Sequence, residues 1–162
     1  MTHHTFWTHG VNTLVESPER ANRIWHHGGG TLVQQRADEV TGHHNNWFHL
    51  PIATPTTINR DEKVGLLSVR VLAFANKNAC IKEVHVRDWR EQVLRRVAVD
   101  WRGPDINEVV NIGGEWPDVM LAAGAAPKEV DFGVVICLRA EFQSGEPPGE
   151  IIFRGAGAQF DE

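Results

Sequence analysis

Two segments of this chain set an indole and an imidazole two residues apart. In Asn45-Asn46-Trp47-Phe48-His49-Leu50-Pro51, an extended backbone puts Trp47 and His49 on one face and Phe48, Leu50 and Ile52 on the other. The aliphatic set suits a core, which leaves the Trp47/His49 pair facing outward or into a cleft. Trp7 and His9 repeat the spacing. An aromatic plate beside a titratable hydrogen-bonding group grips flat or sugar-like ligands by combining apolar area with orientation. Trp7, His9, Trp47 and His49 are therefore the candidate ligand-binding residues, for a small molecule or a carbohydrate. The competing structural reading buries the second face between two sheets and satisfies His49 with a backbone carbonyl.

Other chemistries have weaker signals. The pairs His3-His4, His26-His27 and His43-His44 offer one imidazole to each side of an extended chain, and no H-x-H or H-E-x-x-H spacing occurs. A metal site would need groups from separate loops, for example His9, His49 and one acid, so no metal or other cofactor is assigned. There is no Gly-x-Ser-x-Gly around Ser17, Ser68 or Ser144, and Gly28-Gly29-Gly30 reads as a turn, not a phosphate loop. Glu16, Glu83, Asp88 and Asp100 include candidate general acids or bases, but sheet register decides which carboxylates meet, so no catalytic residue is named.

Charge narrows the partners. Sixteen Lys and Arg against 21 Asp and Glu give a net charge of -5, which argues against nucleic acid and anionic membranes. Trp89 and Trp101 do interleave with arginines between Arg87 and Arg102, but cross-strand acid pairs explain that stretch equally well. Protonating all nine histidines would carry the formal charge from -5 to +4, so the surface field is sensitive to mildly acidic pH. Cys80 and Cys137 are too few for a disulfide scaffold, and Cys137 reads as a buried free thiol. With no signal peptide legible and no apolar run of membrane-spanning length, the expected compartment is the cytoplasm.

The elements that must hold these residues read as short strands between turn residues. Segments 11–16, 31–35, 47–52, 64–74 and 81–88 carry β-branched or aromatic residues bounded by Gly, Pro, Asn or Asp. Residues 89–99 fit either an amphipathic helix or the second arm of a hairpin turning near Trp89-Arg90, and the hairpin is favoured. In 130–142, Phe132, Val134, Ile136, Leu138, Ala140 and Phe142 form one apolar face, the pattern of a central strand. Segment 151–160 would fold back on it as a hairpin, with glycines marking a bulge or a close approach. With 162 residues, 41% of them hydrophobic, the chain reads as a single all-β domain: a jelly-roll-like β-sandwich, with a β-barrel as competitor and residues 1–10 as a loosely ordered arm.

Several segments together resemble a bacterial family of small all-β proteins with no established reaction. They are Trp7-x-His9-Gly10, Glu16-Ser17-Pro18, Gly28-Gly29-Gly30-Thr31, Asn46-Trp47-Phe48-His49-Leu50-Pro51-Ile52, Val84-His85-Val86-Arg87-Asp88 and Gly155-Ala156-Gly157-Ala158-Gln159-Phe160. One departure is the Asp88-Trp89 turn, where Asp-Gly is expected. The resemblance implies the fold and leaves function to the residues. Two readings follow. One is a non-enzymatic binding or assembly module, expected to be a homo-oligomer because six tryptophans exceed what one core needs. The other is a small isomerase or cyclase with an aromatic pocket and His49 or His9 as acid/base.

Overall fold

Short runs that alternate apolar with polar residues, broken by Gly, Pro and Asn, become twelve strands in the computed structural model, which describes residues 3–37, 44–54, 64–88, 93–112, 128–130 and 133–161. In chain order they are β1 (His3–His9), β2 (Leu14–Val15), β3 (Arg23–His27), β4 (Gly30–Gln35), β5 (Asn45–Ile52), β6 (Val64–Ala75), β7 (Ala79–Asp88), β8 (Val93–Trp101), β9 (Gly103–Asn111), β10 (Lys128–Val130), β11 (Val134–Phe142) and β12 (Gly149–Asp161).

They form two antiparallel sheets. In the seven-stranded sheet β12 lies against β6, and its other side is shared end to end by β4 and β1, with β3 outside β4. The far side of β6 is shared in the same way by β10 and β9. The five-stranded sheet runs β2, β5, β11, β7, β8. Among the described residues no strand of one sheet pairs with a strand of the other, so the molecule is a β-sandwich and the barrel alternative falls away.

The core lies between the sheets and explains the register. Val134, Ile136, Leu138, Ala140 and Phe142 of β11 face inward, opposite Ile151, Phe153, Ala156, Ala158 and Phe160 of β12. Phe48 spans the gap, 6.4 Å from Phe142 and 4.7 Å from Phe153 between ring centroids. Fully burying a side chain of this size contributes about 1.5–3 kcal/mol. Two bulges keep the apolar faces inward. An extra residue at Arg154 shifts β12 so that Ala156 and Ala158 follow Phe153 into the core, and one at Leu67 lets Leu66 join Val69 and Val71 there.

Several expectations are corrected. Residues 1–10 are not a loose arm: His3–His9 pairs with β12 from His3↔Asp161 to His9↔Gly155, and Phe6 packs edge-on against Phe160 at 5.9 Å. The 11–16 strand shrinks to β2, because Gly10–Asn12 forms a 3-10 turn closed by Thr13, whose hydroxyl donates to the Gly10 carbonyl at 2.6 Å. Strands β11 and β12 do not form a hairpin. The Gln143–Pro148 connection crosses between sheets, anchored by Asn78, so that the two apolar faces oppose each other across the core. A hairpin would have left both on one side of one sheet. Strands β3 and β9 lie outside the segments read as strand, and Val130, expected to run on with 134–142, belongs to β10 on the other sheet. Residues 93–99 are strand, as favoured, and β7 and β8 pair antiparallel; the turn at Trp89-Arg90 and Phe132 lie outside the described residues.

One buried amide joins the sheets. Asn46, 1% exposed on the inner face of β5, donates to the Ser17 carbonyl at 2.8 Å and to Gln35 Oε1 of β4 at 3.1 Å. Its oxygen accepts from the backbone N–H of Ser17 at 3.2 Å and of Trp47 at 3.0 Å. Asn46→Ala removes every one of these bonds and leaves buried partners unmatched, a cost of about 2–4 kcal/mol. A thermal melt should show the midpoint falling by about 5–10 °C; an unchanged midpoint would remove Asn46 as the tie between sheets.

Candidate functional site

The outer face of the five-stranded sheet is built from three cross-strand rows over β5, β11 and β7. Register places Trp47, Arg139 and Glu83 in one row, His49, Cys137 and His85 in the next, and Pro51, Val135 and Arg87 in the third. The central strand contributes the small Cys137 and Val135, while its neighbours contribute large side chains. A trough follows from that difference in size. Its volume is about 540 Å³, lined by Glu16, Trp47, His49, His85, Arg87, Asp88, Val135 and Cys137. Trp47 leans across the trough and meets the His85 ring at 4.8 Å between centroids, the planes tilted by 49°.

Two imidazole–carboxylate pairs border this space. At the β2 end, His49 Nε2 lies 3.0 Å from Glu16 Oε2, both partly open to solvent. Glu16 is delivered there because its N–H donates to the Trp47 carbonyl at 3.0 Å, just before Asn46 grips Ser17. At the β7 end, His85 Nε2 donates to Glu83 Oε1 at 2.8 Å, and both side chains are nearly buried. Glu83 also accepts from Arg139 Nε at 3.0 Å and from Arg96 Nε. Arg139 in turn donates to Glu141 at 2.8 Å.

The hydrogen bond from His85, joined by those from Arg96 and Arg139, holds the Glu83 carboxyl down to about 2, against burial, which pushes it up. Glu83 is therefore ionised at neutral pH, and an anion facing Nε2 fixes the His85 tautomer with its proton on that nitrogen. Cys137 on the floor is a free, buried thiol pushed up mainly by burial. It behaves as an apolar floor and not as a nucleophile. Cys80, also free, donates to Asp100 at 3.0 Å; burial and that bond raise it to about 11.

Of the four residues singled out by sequence, the structure brings two together. Trp47 and His49 line the trough on β5, with Phe48, Leu50 and Ile52 in the core behind them. Trp7 and His9 lie on β1 of the other sheet, where His9 Nδ1 accepts from the Val11 N–H at 3.1 Å and caps the 3-10 turn. His85, Arg87 and Arg139 were not chosen. Their signal was present in Val84-His85-Val86-Arg87, where apolar and polar residues alternate, but the meeting of β7 with β5 across β11 is a matter of topology. Among the described residues, no three His, Cys, Asp or Glu side chains group to hold a metal ion.

The family model described as "Family of unknown function (DUF6623)" matches residues 1–137. The chain belongs to that family. No curated protein matches the sequence. Among solved structures, a "xylan-binding module CBM15" is similar at TM-score 0.53 and 12% identity, with 99% of each chain covered. A structure titled "CBM4 structure and function" reaches TM-score 0.43 and 11% identity over 93% of this chain and 91% of its own. At these identities the first likeness is one of fold, a β-sandwich. No helix among the described residues is long and apolar enough to cross a membrane.

Because Glu83 is held low in the folded chain, its contribution to stability is complete above the ordinary carboxylate value near 4.5 and drains away as pH falls toward about 2. Acid unfolding followed by tryptophan fluorescence should show that loss in the wild type and a flatter profile between pH 4.5 and 2 in Glu83→Gln. Identical slopes would mean that Glu83 carries no such linkage.

Proposed function

We propose that this protein is a carbohydrate-binding module whose trough on the five-stranded sheet takes a neutral, hydroxyl-rich chain. What carries the reading is Trp47, a half-buried indole set against His85 at the wall of an open trough. The C–H face of a pyranose ring is apolar and its rim is polar, so it needs an aromatic plate ringed by hydrogen-bonding groups. Glu16, His49, Arg87 and Asp88 supply that ring. Charge supports a neutral ligand. Four acids, Glu16, Glu83, Asp88 and Glu141, stand against three arginines, Arg87, Arg96 and Arg139, so neither sign dominates. The similarity in fold to a xylan-binding module makes xylan-type chains the first ligands to try.

The second reading, a small isomerase or cyclase, draws on the His49–Glu16 pair, which has the geometry of an acid/base dyad. An enclosed cavity would favour it, since such chemistry needs water excluded. The trough is instead open along the outer face, with Glu16 half exposed at its rim.

Isothermal titration calorimetry with xylohexaose and cellohexaose separates these readings. Binding of at least one is expected, weakened about tenfold or more in Trp47→Ala. His49→Ala should weaken it by less, and neither sugar should be altered on prolonged incubation. Absence of binding to both sugars, or binding indifferent to Trp47→Ala, would overturn the proposal; conversion of a sugar that depends on His49 would favour the enzyme.

A further inference from the structure

The opposite side of the sandwich carries its own aromatic surface. On the outer face of the seven-stranded sheet, Trp25, Leu32, Ile152 and Phe74 stand in one cross-strand row over β3, β4, β12 and β6. Ile152 and Phe74 sit between neighbours that face the core, Leu32 between the buried Thr31 and Val33, and Trp25 beside Ile24 and itself half exposed, so all four point away from it. Leu72 is the next outward residue of β6, and beyond it, over Gly157, lies Trp7. Trp7 is 49% exposed and Trp25 50%. The alternation that fills the core thus also lays a strip of apolar residues on the outside between two tryptophans, with Arg70, opposite Gly157, and the half-exposed Arg154 as polar neighbours.

The Trp7 ring has a defined attitude. A Cβ placed on Gly157 would lie 2.9, 2.9 and 3.0 Å from Trp7 Cδ2, Cε3 and Cε2. Near-equal distances to three atoms of the fused ring mean that the indole rests with its face on the glycine. Trp25 is steadied by Arg23, whose guanidinium lies 5.1 Å from the indole centroid, and by His27 at 4.6 Å. Gly157 and Ile152 are five residues apart on β12, so the two tryptophans stand about 15 Å apart along the strands, at about 3.3 Å per residue.

The size of the strip decides what it can hold. Four strands at about 4.8 Å spacing and about 15 Å of length give roughly 200–300 Å². A stable protein partner needs about 800 Å² from each side. A second copy of this chain would therefore be under-supported by the strip. A narrow, extended ligand with an apolar face and polar edges is not, and Arg23 together with the hydrogen-bonded Gln34–Glu150 pair, 2.6 Å apart, borders the strip with polar groups.

We propose that this strip is a second carbohydrate site, a flat platform on which an extended neutral polysaccharide chain stacks across Trp7 and Trp25. It is independent of the trough, which lies on the other sheet. Two sites on opposite faces would let one molecule bridge two chains, or gain avidity on a polymer surface.

Sedimentation with insoluble cellulose and insoluble chitin tests it, with bound fraction read against polysaccharide concentration. Wild-type protein should be retained on at least one. Trp7→Ala and Trp25→Ala should each lower the association constant about tenfold, with retention kept in Trp7→Phe and Trp25→Phe as evidence of folding. Gly157→Ala, which must tip the Trp7 ring off the sheet, should lower it several-fold with both indoles still present. In a Trp47→Ala background, where the trough has lost its aromatic plate, Trp7→Ala and Trp25→Ala should still lower retention about tenfold. Lack of retention on both solids, or retention lost only with Trp47→Ala, would overturn the platform. A dimer by light scattering that the Trp7→Ala/Trp25→Ala double variant dissolves would also overturn it and make the strip an interface between copies. Failure of the trough alone would look different: soluble oligosaccharides unbound, with tryptophan-dependent retention on the solid intact.

Discussion

The arrangement depends on one side chain, the carboxamide of Asn46. An amide has two donor protons and two acceptor positions, and burial is tolerable only when they are matched. Here Ser17, Gln35 and the Trp47 N–H match all of them, at 2.8 to 3.2 Å. Those partners sit on the segment after β2, on β4 and on β5 itself, so a single side chain sets the height of one sheet on the other. It also fixes where Glu16 enters. Next to Asn46 in sequence, Trp47 must point the other way, and the register of the outer face follows from the register of the amide.

Around that constraint the trough is prepared before any ligand arrives. Its floor is two small residues on the central strand, and its walls are held by charges buried with their partners. Glu83 is the sharpest case, since a nearly buried carboxylate is costly unless several donors reach it, and His85, Arg96 and Arg139 all do. The network orients His85, and His85 supports the Trp47 ring from the side. Side chains already held in place leave less ordering to be lost when anything enters the trough.

The parts of this fold legible in the sequence are those written in period two. Strands β6, β7 and β11 follow directly from apolar alternation, as does the outward direction of Trp47 and His49. What period two does not encode is which sheet a strand joins. Strand β12 was legible as a strand and misplaced as a hairpin partner, because a crossing between sheets and a hairpin use the same turn residues. The polar N-terminal segment concealed β1 for a related reason. Only Thr8 is buried, His4 and Phe6 are half-buried, and the other four residues of that strand are exposed at the surface. The trough was half legible, since β5 announces its residues while His85 and Glu83 meet them only through β11.

The segments that carry the family resemblance prove to be complementary contacts. Trp7-x-His9-Gly10 lies along Gly155-Ala156-Gly157-Ala158, with Trp7 flat on Gly157 and Gly10 so close to the Phe153 carbonyl that a Cβ would stand 1.8 Å from its oxygen. Glu16-Ser17 meets Asn46-Trp47-Phe48-His49 through the amide and the His49–Glu16 pair. Val84-His85-Val86-Arg87 completes that second face. Each face of the sandwich thus sets an indole on a support chosen to fit it. A glycine lets one ring lie flat on the sheet; the ion-paired Glu83, acting through the His85 imidazole, meets the other where it leans across the trough.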